Sequence, residues 1–105
     1  MRMLLRTRIP VEHGNRAAKD GSMTKAFESI FEKLKPEAAY FSMDDGLRAV
    51  YIFYDIDAEY KFLEIHEPLF AAMGGAIYEQ PALNWHDIKR GFTDLALGRR
   101  MRPGF

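Results

Sequence analysis

The chain has no cysteine among its 105 residues. That absence excludes disulfides, thiolate nucleophiles and cysteine metal sites together, and it permits a reducing compartment without requiring one. Net charge is missing too: 15 basic and 15 acidic residues cancel, which removes any global electrostatic pull toward nucleic acid or an anionic membrane. No apolar stretch approaches the roughly 20 residues a membrane-spanning helix needs. The run from Met1 to Leu5 is too short for the core of a secretion signal, and Arg6 and Arg8 interrupt it. The expectation is a soluble, cytoplasmic protein with no membrane and no nucleic-acid partner. Histidine is scarce, and His13, His66 and His86 show neither the i, i+4 spacing of a helical metal site nor the alternation of a strand site, so no metal is expected. There is no glycine-rich phosphate loop and no internal repeat.

What is present begins with a hairpin. Residues Tyr40 to Ile56 read YFSMDDGLRAVYIFYDI, two apolar, aromatic runs joined by Asp45-Gly46, the strongest local signal for a tight antiparallel turn. The second run, Ala49 to Tyr54, is apolar at both odd and even positions, so both faces of that strand call for cover. A hydrophobic content of 48% suits one domain over residues 1–98, burying roughly two thirds of the unfolded surface. The basic stretch 99–105 reads as a tail.

Alternation in Met1 to Ile9 predicts a first strand with Met3, Leu5, Thr7 and Ile9 on one face and Arg2, Leu4, Arg6 and Arg8 on the other. A short polar helix over Glu12 to Lys19 precedes a stronger one capped by Ser22, with Phe27, Ile30, Phe31 and Leu34 inward. After the hairpin, Asp57 is the expected cap of a helix carrying Phe62, Ile65, Leu69 and Met73, which Pro68 kinks or restarts. Ala76 to Leu83 reads as a fourth strand, placed at a sheet edge by Pro81. Asn84 and Asp87 open a last helix striped by Trp85, Ile88, Phe92 and Leu95 and closed by Gly98.

Two right-handed crossovers around a hairpin put strands one and three in the centre of a four-stranded antiparallel sheet, with both long helices on one face. The expected fold class is α+β, a ferredoxin-like βαββαβ plait with an extra C-terminal helix. Its open face carries too much apolar surface for water, and a second copy is the natural cover.

The opening MRMLLRTRIPVEHGNRAAKDG, the segment PEAAYF and the segment HEPLF resemble a functionally uncharacterised small bacterial family of the dimeric α+β barrel superfamily. The resemblance implies a homodimer packed sheet to sheet. It also implies a role among the superfamily's cofactor-independent monooxygenases, muconolactone-type isomerases, haem-degrading enzymes and ligand binders. Fold alone does not choose among these.

Arg6 and Arg8, projecting into the space between sheets, read either as a clamp for a carboxylate or phosphate or, more plainly, as ion pairs with Glu79 or Glu37. Tyr40, Tyr51, Tyr54 and Tyr78 offer an aromatic, hydroxylated lining, although tyrosines also anchor dimer interfaces. Among the histidines His66 is the best placed, and its plainer reading is a hydrogen bond to a helix-end carbonyl. The central strands lack the aromatic pattern of RNA-binding plaits. The leading expectation is a homodimer that binds a small, anionic aromatic ligand through Arg6, Arg8, Tyr40, Tyr51 and Tyr54 without a cofactor. The alternatives are a cofactor-independent monooxygenase or isomerase and a purely structural interaction module.

Overall fold

Alternation and helical periodicity become, in the computed structural model, the order β1 (Arg2–Ile9), α1 (Val11–Asp20), α2 (Ser22–Leu34), β2 (Ala38–Asp44), β3 (Leu47–Asp55), α3 (Lys61–Met73), β4 (Ile77–Pro81) and α4 (Trp85–Ala96). The structure describes residues 1–98, and the expected basic tail at 99–105 lies outside the described residues. The strands form one antiparallel sheet in the order β2-β3-β1-β4. The central places of β1 and β3 and the edge place of β4 follow the expectation, and the α+β arrangement is compatible with a ferredoxin-like plait.

Asp45 and Gly46 both have positive φ, the requirement of a type I′ turn, so the two-residue loop sets the β2–β3 register with Asp44 opposite Leu47. That register fixes which side chains share a face. Met3, Leu5, Thr7 and Ile9 lie with Val50, Ile52 and Tyr54 on the helix-covered side, all buried. Phe27 of α2 and Leu69 and Met73 of α3 close the core over them, while Ile30, Phe31, Leu34, Phe62 and Ile65 pack around its rim, half-buried.

Two local expectations are corrected. Ser22 is the first residue of α2 rather than its cap. Gly21 holds the cap position with φ of 82°, and the Ser22 amide donates to Asp20 Oδ1 at 2.8 Å. Asp57 does not cap α3 either. A turn at Ala58 to Tyr60 comes first, and the Asp57 carboxylate takes the Lys61 ammonium at 2.8 Å. Helix α3 runs through Pro68 without restarting. Proline removes the amide that would bond the Glu64 carbonyl, and Lys33 Nζ of α2 donates to that carbonyl at 2.9 Å instead.

Between α3 and β4 the backbone passes very close to β1. A side chain at Gly75 would collide with the Arg8 carbonyl oxygen, so glycine is required there. The following residue's carbonyl, at Ala76, accepts from the Arg8 amide and from the Thr7 hydroxyl.

Helix α4 begins with the expected capping box between Asn84 and Asp87, but it leaves the domain. None of its residues is buried. The Cα radius of gyration is 16.8 Å and the long axis 56 Å, against about 13 Å for the radius of a globular chain of this length.

Candidate functional site

Strand alternation sends Arg6 and Arg8 to the helix-free face, and the register places four side chains of that face in one transverse row. Tyr78 of β4 lies opposite Arg6 of β1, Arg6 opposite Tyr51 of β3, and Tyr51 opposite Tyr40 of β2. The row above it is Arg8, Ala49 and Ser42, and the row below joins Leu4 to Phe53 and Ala38.

Both arginines turn toward one carboxylate. Arg8 donates from Nε to Asp44 Oδ2 at 2.9 Å, with its Nη2 also at 2.9 Å, and Arg6 Nη1 stands 3.7 Å from the same oxygen. The bond to Asp44 holds the Arg8 guanidinium above its usual pKa range. On the other side the Arg6 guanidinium lies 4.6 Å from the centroid of the Tyr78 ring, with Arg8 at 5.8 Å, so the tyrosine's π face meets the cations. Two positive charges thus converge on one negative charge, and the cluster is partly exposed on a face no helix covers.

This corrects the expected pairing. Glu37 binds Arg2 at 3.0 Å, and Glu79 points to the opposite face, because it lies across from Leu5 in the β1–β4 register. Alternation also removes Tyr54 from the expected lining. Two residues from Ile52 on β3, it belongs to the helix-covered side, where it is fully buried. Arg6, Arg8, Tyr40 and Tyr51 are brought together as expected, and Asp44 and Tyr78 complete their surroundings. The sequence signal for Asp44 is hairpin parity. Counting back from the Asp45-Gly46 turn puts it on the arginine face.

A second cluster forms on the covered side. His66 Nε2 lies 2.9 Å from Glu79 Oε1, and the Tyr54 hydroxyl donates a short bond to the same oxygen. The Glu79 side chain is only 12% exposed, and its Oε2 is buried without a hydrogen-bond partner among the described residues. Burial, reinforced by the hydrogen bond and charge of Glu79, pushes the Tyr54 phenol far above its ordinary pKa. The ring of His66 stacks on Phe62 at 5.3 Å between centroids and meets the edge of Phe70. His66 therefore pairs with a carboxylate and not with the helix-end carbonyl expected for it. His13 makes such a contact, at 2.6 Å to the Ala72 oxygen. His86 is exposed on α4.

No group of three potential metal ligands occurs among the described residues, and no helix among them is long and apolar enough to cross a membrane. Comparison with protein-family models, curated proteins and solved structures gives no match.

Proposed function

We propose that the protein is a dimeric α+β barrel of the ferredoxin-like plait type that binds a small aromatic carboxylate between two facing sheets. The observation that carries this reading is a local charge imbalance on the open face, where two guanidinium groups meet the single carboxylate of Asp44. Covering that face with a second copy would take the surplus cation out of water, and an anion must then accompany it, since an unneutralised buried charge costs several kcal/mol. A carboxylate is the natural anion because the planar fork of arginine binds it through two parallel hydrogen bonds. The tyrosine row supplies flat, amphipathic walls for an aromatic ring, with Tyr40 and Tyr78 at its two ends.

Equilibrium titration with benzoate and 4-hydroxybenzoate, followed by calorimetry, tests the reading. Saturable binding that Arg8→Met weakens supports it. Indifference to all such acids, or binding unchanged by Arg8→Met, refutes it.

A second reading rests on the other cluster. Glu79 orients the His66 ring through Nε2, which leaves Nδ1 as the proton-accepting atom. The Tyr54 hydroxyl fixes the carboxylate from behind. This is the geometry of a general base with its orienting partner, and it fits a cofactor-independent isomerase that shifts a proton on an oxoacid. In that case an oxoacid would reach His66 on the helix-covered side, away from the arginines, and His66→Gln would abolish its turnover.

A further inference from the structure

A pair of guanidinium groups suits a phosphate ester as well as a carboxylate, since the planar fork of arginine matches both. Arg6 and Arg8 by themselves therefore leave the charge of the ligand open. Asp44 decides it. Its Oδ2 takes Nε and Nη2 of Arg8, each at 2.9 Å, and stands 3.7 Å from Nη1 of Arg6, so an anion that bonds these groups shares them with a carboxylate already in place.

We infer that Asp44 makes the arginine site selective for ligands of one negative charge and excludes dianions such as phosphate monoesters. The inference rests on the aromatic-acid reading above and names the charge class of the ligand.

The backbone holds Asp44 where it is. It ends β2 opposite Leu47, directly before the turn whose two residues have positive φ, and its side chain is only 26% exposed. Among the described residues it is the one carboxylate within ion-pair distance of either guanidinium. Two cations and this carboxylate leave a single positive charge. A ligand carboxylate balances that charge, whereas a dianion leaves a surplus negative charge held against Asp44, and covering the face with a second copy would take the surplus out of water.

No other group facing the cluster offsets that surplus. Ser42 and Tyr40 of β2, Ala49 and Tyr51 of β3 and Tyr78 of β4 bring hydroxyls, a methyl group and aromatic rings. Asp45, in the exposed turn, reaches Arg8 through its field and not through a contact, and it adds to the repulsion. Arg2, four positions from Arg6 and so about 13 Å along β1, is already paired with Glu37 and Asp87. The histidines stand elsewhere: His66 on the covered side, His13 on the Ala72 oxygen and His86 on α4.

Phenyl phosphate tests the charge directly, because its second proton leaves near about pH 6 while benzoate remains a monoanion. Both ligands are titrated calorimetrically into the intact protein at about pH 5 and about pH 8, on either side of that step, at fixed ionic strength. Benzoate corrects for any titration of the protein. The affinity for phenyl phosphate relative to benzoate is expected to fall about tenfold or more between the two pH values, since like charges forced together are strongly unfavourable. Asp44→Asn should abolish or invert that fall. Asp45→Asn, in the same turn but without an arginine contact, should leave it in place.

A ratio that holds steady or rises in the intact protein overturns the inference, whatever the variants do, and benzoate binding then leaves the aromatic-acid reading standing. A fall that survives Asp44→Asn, or that Asp45→Asn also removes, overturns the assignment to Asp44. Absence of binding by either ligand overturns the inference together with the reading it rests on.

Discussion

Arg8 of β1 reaches Asp44 of β2 over the full width of the intervening strand, its Nε 2.9 Å from Oδ2. The residue between them is Ala49, opposite Arg8 on one side and Ser42 on the other. Ala49 is 1% exposed on a face that no helix covers. A methyl group is small enough for a charged pair to bridge it, and the bridging side chains in turn shield it. The arginine cluster is thereby a feature of three strands rather than of one.

The local imbalance of two guanidinium groups on one carboxylate predicts opposite effects from two substitutions. Arg8→Met removes the stronger of the two guanidinium contacts and should weaken binding of a small aromatic acid by about 1.5 to 3 kcal/mol, the worth of a hydrogen bond to a charged group. Asp44→Asn frees both arginines for the ligand and should strengthen binding by a comparable factor. Calorimetric titration of benzoate into each variant checks this. Equal weakening in both would mean that Asp44 positions the arginines more than it competes with the ligand.

Burial separates two phenylalanines of α2 that periodicity treats alike. Phe27 is buried in the core, while Phe31 is half-buried at its rim, their ring centroids 5.8 Å apart. Phe27→Ala should cost about 3 to 5 kcal/mol in urea unfolding, within the range for deleting a buried aromatic. Phe31→Ala should cost clearly less, because the Phe31 site is already partly wet. Equal losses would show that the two rings stabilise the domain as one unit.

Strand order and the hairpin were legible because each rested on a local physical rule. Positive φ at Asp45-Gly46 demanded that turn, and Pro81 barred β4 from the interior. Face assignment on β1 followed from alternation alone. Tyr54 was misplaced for want of register, since in a strand apolar on both sides composition gives no parity, and only pairing with Met3 assigns it to the core. The His66–Glu79 contact was hidden for a different reason. It joins a helix to an edge strand across 13 positions, and no spacing rule links periods of 3.6 and 2. Capping by Ser22 and Asp57 failed where neighbours competed: Asp20 takes the Ser22 amide, and the Asp57 carboxylate takes Lys61.

Tyr54 predicts an alkaline instability of definite sign. Its phenol is raised in the folded protein, first by burial and then by Glu79, so the folded state retains a proton that the unfolded chain releases near pH 10. The stabilisation is fully present below that pH and is lost as pH rises toward the folded value, at up to about 1.4 kcal/mol per pH unit. Tyr54→Phe should remove this contribution to the slope between pH 10 and 11.5. It should also cost about 1 to 3 kcal/mol at pH 7, because Glu79 loses a donor in a buried setting. Denaturant midpoints measured across that range in both proteins decide the matter, and parallel slopes would place the alkaline loss elsewhere.

The orphaned carbonyl beneath Pro68 gives the last test. Proline inside α3 leaves Glu64 without its helical amide partner, and the Lys33 ammonium occupies the place of that amide at 2.9 Å. Lys33 is otherwise an exposed residue of α2, so its contribution to stability should come mainly from this one bond between the helices. Lys33→Met should lower stability by about 0.5 to 1.5 kcal/mol, the net worth of a single hydrogen bond. Pro68→Ala restores the amide and should raise stability by about 1 to 3 kcal/mol, given the usual cost of an interior proline. The two effects must couple. With Pro68→Ala already made, the Glu64 carbonyl has a backbone donor and Lys33→Met should cost almost nothing. A double-mutant cycle in urea reads the coupling directly, and strict additivity would mean that Lys33 stabilises the α2–α3 contact by some route other than this carbonyl.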